Sequence, residues 1–402
     1  MTDLRVLERE LRSLRAPDEG DAALRAWELA TAEFERVGPV PAARRRPRRR
    51  WVLVAIVASA CMAAVAISPA GATVAHWVKE RFSTPGVKHA KPALVSLPAP
   101  GRLLVSSRDG AWVVSSDGSK RLLGPYRDAT WSPHGLFVAA VRGHSLIAVD
   151  TRGHVRWTLP RVPRPELPSW SPGDGFRVAY LSGQALRVVW GDGTNDRLLA
   201  RHVAHVAPVW RPQRSGHVLS YWTTDGQIVT RNADSGKVLW RAPATARPPL
   251  ALQWSGDGAT LMVLDSRRLE LLDGHSGAVL KLLSTGTGLR FTDAAVSPDG
   301  NTLALARYDA AADRSEVFLM SVESRGWHAR QAFAGLGRFG GVRWSPNGRW
   351  LLVTWRDANQ WLFLRSAPAR RLVAVSSIGR AFEPDRTGPA RFPTAGGWCC
   401  VP

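Results

Sequence analysis

The sequence has little of what reactive centres are usually built from. It holds three cysteines, Cys61, Cys399 and Cys400, in 402 residues. Eight of its ten histidines, at 134, 144, 154, 202, 205, 217, 275 and 328, stand singly, several of them at turns. His202 and His205 are the nearest pair. They fall on an expected loop with no cysteine or carboxylate beside them, so no zinc site is expected. No Gly-x-Ser-x-Gly elbow occurs, and Gly274-His275-Ser276-Gly277 is a hairpin turn, which excludes a serine hydrolase of the elbow type. Acids are also scarce. There are 33 Asp and Glu against 54 Lys and Arg, a formal net charge of +21 carried mostly by arginine. In a cytosolic chain that balance would point to nucleic acid. A GC-rich coding bias is a second source of arginine, and the segment at 51–75 argues for another compartment, so no nucleic-acid partner is expected.

What is present is organised in stretches, and 45% hydrophobic residues are ample for one large domain with appendages. Leu4, Leu7, Leu11 and Leu14 recur at helical spacing, Pro17 to Gly20 break the pattern, and Asp21 suits the N-cap of a second helix. Leu24, Trp27, Phe34 and Val37 give that helix a looser apolar stripe. Such a pair binds a partner, packs on itself or on a membrane, or forms a weakly ordered tail. An arginine run closes residues 1–50, and Trp51 to Ile67 then carries no charge. That length just spans a bilayer as a helix, with Trp51 and Trp77 placed as interface anchors and the arginines holding the N-terminus in the cytoplasm. The expectation is a single transmembrane anchor at 51–75, a juxtamembrane helix and Pro-rich linker at 76–100, and everything beyond outside the cytoplasm. A cleaved signal peptide is the competing reading, disfavoured by a leader of this length.

From Gly101 onward short β runs alternate with turns, and one phrase recurs. It stands as Trp131-Ser-Pro-His-Gly135, Trp170-Ser-Pro-Gly-Asp-Gly175, Trp210-Arg-Pro-Gln-Arg-Ser-Gly216, Trp254-Ser-Gly-Asp-Gly258, Val296-Ser-Pro-Asp-Gly300 and Trp344-Ser-Pro-Asn-Gly348. Pro suits the first central position of a type I turn, Asn the second, and Gly the left-handed residue that follows. Successive anchors lie 39, 40, 44, 42 and 48 residues apart, the period of a four-stranded propeller blade. Four strands fit the last clear repeat: Gly341–Trp344, Trp350–Trp355, Trp361–Leu364 and Leu372–Val375. Three more, at Arg102–Ser106, Ala111–Val114 and Lys120–Leu123, precede the first anchor without one of their own. A C-terminal strand carrying Trp398 would complete that blade and remove an exposed sheet edge. The expected fold is therefore all-β, a seven-bladed β-propeller over 101–398, with six blades and a loose tail as the alternative.

The Trp-Ser-Pro-Asp/Asn-Gly phrase followed by an apolar strand resembles the WD40-like repeat (PD40) of TolB-type propellers, over roughly 101–398. Ala148 to Trp157 and Asn232 to Trp240 resemble the outer hairpin of quinoprotein-type repeats. With its N-terminal helices and anchor, the whole chain resembles membrane-tethered propeller proteins of actinobacteria. The resemblance implies a platform for protein binding, and the missing catalytic motifs point away from an enzyme. A quinone-dependent oxidoreductase or a lyase is the alternative, but no set of Glu, Asn and Asp for the calcium of a quinone site is recognisable, and no cofactor is expected. Cys399 and Cys400 have Cα atoms about 3.8 Å apart, short of the usual span of about 4.4–6.8 Å. They are either two structural thiols or a vicinal disulfide stiffening the closing strand.

In a propeller, the loops joining strands two and three share a face with those leading to the next blade. Here the first set carries Arg108, Arg142, Arg267, Arg307 and Arg356, and the second Arg127, Arg164, Arg247, Arg290 and Arg338. Asp109, Asp128, Asp265, Asp309 and Asp357 lie beside several of them. The expectation is a face binding a cell-envelope protein or an anionic polymer. Ordinary Arg–Asp surface pairing is the competing reading. The stretches Arg307 to Ser315 and Gly335 to Gly341 are expected to be contact loops.

Overall fold

The computed structural model describes residues 96–400, apart from 174, 214–215, 244–246, 323–326 and 367–370. The expected helices, the arginine run, the 51–75 anchor and most of the linker lie outside the described residues. Among the described residues, no helix is long and apolar enough to cross a membrane.

Seven four-stranded antiparallel sheets follow one another. Blade one holds β4 (Arg127–Trp131), β5 (Phe137–Arg142), β6 (Ser145–Asp150) and β7 (Val155–Pro160). Blade two holds β8 (Pro165–Trp170), β9 (Arg177–Ser182), β10 (Ala185–Trp190) and β11 (Arg197–Ala200). Blade three has β12 (Val209–Trp210), β13 (Val218–Trp222), β14 (Gln227–Asn232) and β15 (Val238–Pro243), and blade four has β16 (Ala251–Trp254), β17 (Thr260–Leu264), β18 (Arg268–Asp273) and β19 (Val279–Ser284). Blade five contains β20 (Leu289–Val296), β21 (Thr302–Asp309), β22 (Arg314–Ser321) and β23 (Ala329–Leu336). Blade six contains β24 (Phe339–Trp344), β25 (Trp350–Trp355), β26 (Gln360–Arg365) and β27 (Leu372–Ser376). Blade seven joins β1 (Arg102–Ser106), β2 (Ala111–Val114) and β3 (Lys120–Gly124) to the last strand of the chain, β28 (Thr394–Cys399), in the order β28-β1-β2-β3. Leu103 sits opposite Trp398 in that ladder. The one-plus-three closure read from Trp398 is the one the chain uses.

Each seam between neighbouring blades holds its own apolar cluster, seven in all. A blade is covered on both faces, so its middle strands are unbroken apolar runs such as Leu261–Leu264 rather than alternating ones. The repeated tryptophans span these seams. The indole nitrogens of Trp131, Trp210 and Trp344 donate to Gly397 O at 3.2 Å, Ser169 O at 2.9 Å and Ala295 O at 2.9 Å, each on the inner strand of the blade before. Farther out, Trp157 and Trp240 donate to Gly191 O and Gly274 O on the next blade. Gly193 and Gly277 lie under those rings, where a Cβ would come within 2.8 and 2.5 Å of indole atoms.

The recurring turn closes as its residues predict, with one addition. Gly348 sits at φ 65° and donates to Ser345 O at 2.9 Å. The serine hydroxyl does more than reverse the chain. Ser345 Oγ accepts the Trp350 amide at 3.0 Å and donates to Asn347 Oδ1 at 2.8 Å. Ser132, Ser171, Ser255 and Ser297 accept the corresponding amides in their own turns.

Three expectations need correction. The last residues of the Pro-rich linker are packed rather than extended away: Leu97 and Ala99 are buried in the cluster between blades six and seven, and Leu97 N donates to Ser116 O. The stretch Arg307 to Ser315 is mostly strand, because β21 and β22 are eight residues long and leave only 310–313 as a loop. Likewise β23 and β24 leave only Gly337 and Arg338 between them. The connection from β27 to β28 was not foreseen. It contains α1 (Ile378–Phe382), whose Ile378 and Phe382 are fully buried beside Trp112 and Trp361.

Candidate functional site

The two kinds of connection sort the charged residues onto opposite faces. Turns from first to second strand and from third to fourth make a hairpin-turn face. Connections from second to third strand and onward to the next blade make a loop face. The predicted arginines fall on the loop face, at the ends of β4, β5, β20 and β21 and in the connections between strands.

The inner strands bend as they approach that face. Register shifts mark bulges in β4, β8, β20 and β24, with Asp128 and Leu167 held at φ 50°. Between the inner strands lies a central channel of about 530 Å³, lined among others by Gln253, Asp293, Arg343, Trp254, Trp344 and Trp398. Its Arg343, Asp293 and Gln253 side chains are committed within the lining. Arg343 Nη1 meets Asp293 Oδ2 at 2.6 Å, the same oxygen accepts the Val342 amide, and Gln253 bonds both backbone groups of Val296. A second cavity of about 600 Å³ between blades one and two is lined by Phe137, Ala148, Arg156, Trp157, Gly191 and Asp192.

The arginines divide into engaged and free. Arg307 is engaged: it pairs with Glu316 Oε2 at 2.5 Å, directly opposite on β22, and lies 4.8 Å from the centre of the Phe318 ring. It therefore leaves the candidate contact set. Arg164 is likewise paired with Glu166. Arg142 and Arg338 rest on the rings of Tyr126 and Tyr308, at 5.8 and 5.2 Å. The hydrogen bond with Tyr308, with Asp357 and Asp313 nearby, raises the Arg338 guanidinium further above its ordinary pKa. Arg108, Arg142, Arg267, Arg290 and Arg356 are exposed and make no ion pair to a described side chain.

Four of the aspartates beside them, Asp128, Asp265, Asp309 and Asp357, serve the backbone instead. Asp265 Oδ1 accepts the amides of Arg267 and Arg268, and Asp309 Oδ1 those of Ala311 and Ala312. Asp357 Oδ2 accepts the Arg338 amide at 2.8 Å, and Asp128 Oδ2 the Leu167 amide at 3.4 Å. At Asp265 and Asp309 turn capping takes the place of the competing Arg–Asp pairing. Two or three residues separate each of those Asp265 and Asp309 carboxylates from its amides, which suits an Asx turn better than an outward ion pair.

Histidine shows the limit of local reading. His205 does have a carboxylate partner: Glu166 Oε2 lies 3.1 Å from Nε2, brought from the neighbouring inner strand. His154 with Asp150 and His217 with Asp234 make two more pairs. Among the described residues, no three His, Cys, Asp or Glu side chains gather as a metal site.

Comparison with known proteins adds the fold and little else. No protein-family model matches this sequence, and no curated protein matches it. Solved structures do match. The β-propeller domain of Myceliophteria thermophila Cps50 (Swd1) is 15% identical, covers 68% of this chain and 99% of its own, and superposes with a TM-score of 0.52. A chain of the mitotic checkpoint complex is 16% identical over 71% of this chain and 95% of its own, at 0.51. A chain of Kuenenia stuttgartiensis hydrazine synthase is 16% identical over 62% and 86%, also at 0.51. The shared feature is the WD40-like β-propeller fold.

Proposed function

We propose that this chain is a membrane-anchored, extracytoplasmic binding or scaffolding platform of the TolB type, whose loop face holds an anionic partner of the cell envelope. One observation carries the reading. Arg108, Arg142, Arg267, Arg290 and Arg356 present guanidinium groups on a single face without an acidic partner among the described residues, while Asp265, Asp309 and Asp357 accept backbone amides. A planar, permanently charged fork that is already desolvated on one side by an aromatic ring, as at Arg142, is suited to carboxylate or phosphate. The charge excess supports it: residues 96–402 contain 38 Lys and Arg against 23 Asp and Glu. The recurring Trp-Ser-Pro turn supports the TolB-type assignment, and the arginine run before Trp51 supports an N-terminus held inside.

Crosslinking in the native membrane, followed by mass spectrometry, tests the platform reading without assuming the partner's class. Recovery of an acidic envelope protein or polymer attached through the loop face supports it, and attachment confined to the hairpin-turn face contradicts it. The propeller-enzyme alternative predicts a tightly bound chromophore, which an absorption scan of the purified protein would reveal.

A further inference from the structure

We propose that Cys399 and Cys400 form an exchangeable redox site, opened and re-formed in the folded protein by a dithiol–disulfide partner. The two residues are joined by a disulfide at the end of β28, the strand that closes the ring. A bond between neighbours closes no loop, so the chain-entropy stabilisation of an ordinary disulfide is absent. It also ties β28 to no other strand. The seam is held instead by the ladder to β1 and by the burial of Ala395 and Trp398.

The surroundings suit the reduced pair as well as the oxidised one. Cys400 Sγ lies 3.0 Å from Pro133 O, and Cys399 Sγ 3.8 Å from Ser132 O. Both carbonyls belong to the first Trp-Ser-Pro turn. A disulfide sulfur has no hydrogen to offer them, whereas each thiol has one, so reduction converts two bare contacts into S–H···O hydrogen bonds. Both cysteines are partly exposed, as attack by an external thiolate requires. Arg102, opposite Cys399 in the ladder, supplies a positive charge that favours a departing thiolate.

The exchange balances. A thiolate of the partner attacks one sulfur and breaks the Cys399–Cys400 bond, leaving a mixed disulfide and one free cysteine thiolate. The partner's second thiol then displaces the other cysteine. The partner leaves oxidised, and two electrons and two protons remain on the pair as thiols.

The test is alkylation of the full-length protein by iodoacetamide without denaturant, read on the C-terminal tryptic peptide that begins at Phe392. We expect no alkyl groups before dithiothreitol, two after it, and none again once diamide has reoxidised the protein, with the far-ultraviolet circular dichroism unchanged throughout. Labelling of both cysteines without reductant would show standing thiols and overturn the proposal. Labelling that needs denaturant as well as dithiothreitol would show a sealed structural bond and overturn it equally. In Cys399→Ser the remaining Cys400 should take one label without reductant. Failure to label in that folded variant would mean that the sulfur is out of reach, which also contradicts the proposal.

Discussion

The acids of the hairpin-turn face and the arginines of the loop face are used in opposite ways. On the turn face Asp117, Asp192, Asp257 and Asp273 have their pKa values lowered, chiefly by side-chain hydrogen bonds from Ser119, Thr194, Ser255 and Ser276, with backbone amides adding to the effect. Asp150 shows the balance most clearly. Burial works against its charge, yet the backbone and ring of His154 and the amide of Arg152 bring its pKa to about 2. Arg156 closes the group at 2.9 Å. Negative charge on this face is spent inside the chain, holding turns. On the loop face Asp265 and Asp309 do the same work, Arg164 and Arg307 are paired with glutamates, and Arg108, Arg142, Arg267, Arg290 and Arg356 make no ion pair to a described side chain.

The largest expected effect lies at the turn-face end of the closing strand. Trp398→Ala empties a buried position that packs edge-to-face on Phe363 at 5.6 Å and should cost about 3–5 kcal/mol in urea unfolding. Partner binding per folded molecule should be unchanged, and a loss of binding at full folding would break the division between faces.

Next comes Asp150→Ala, which removes an acceptor for two amides and an ion pair, and should cost about 1–2 kcal/mol at neutral pH. The pH dependence has a definite sign. The folded pKa of about 2 lies below the ordinary 3.8, so the contribution is fully present above pH 4 and is lost as pH falls through the folded value. A wild-type stability curve that is flat across that window would contradict this account of the turn face.

Glu270 sharpens the comparison, because it belongs to neither face. It is buried in β18, and burial raises its pKa, partly offset by Arg268. The sign is therefore reversed: ionisation at neutral pH costs stability, and the cost disappears as pH falls through the raised pKa. Glu270→Gln should raise the melting temperature by about 1–2 °C at pH 7 and by less at pH 4. Equal shifts at both pH values would refute the burial argument.

How much of this was legible depended on the range of the forces involved. The Trp-Ser-Pro-Asn-Gly turn could be read because proline, asparagine and glycine act within four residues. Trp398 could be read as the seventh anchor because three strands before Trp131 lacked an inner partner. Glu166 beside His205 could not, since the two lie 39 positions apart in the chain and only the fold decides that contact. Arg307 with Glu316 was within reach: once β21 and β22 are paired as a hairpin, the two fall opposite each other. Helix α1 gave no signal, because five residues are too few for a periodic stripe and its burial depends on Trp112 and Trp361. The serine of the repeated phrase passed as turn chemistry, although its hydroxyl also binds the strand that leaves.

The smallest expected effect on stability is the most telling for function. Arg108, Arg142 and Arg356 are exposed, so reversing each to Glu should change stability by no more than about 0.5 kcal/mol. The deciding measurement is capture of native envelope material by the full-length protein, wild type against the Arg108→Glu, Arg142→Glu, Arg356→Glu triple variant, at matched folding and ionic strength. The account predicts at least about a tenfold loss of capture, one decade corresponding to about 1.4 kcal/mol shared among three guanidinium contacts. Undiminished capture by the triple variant would contradict it.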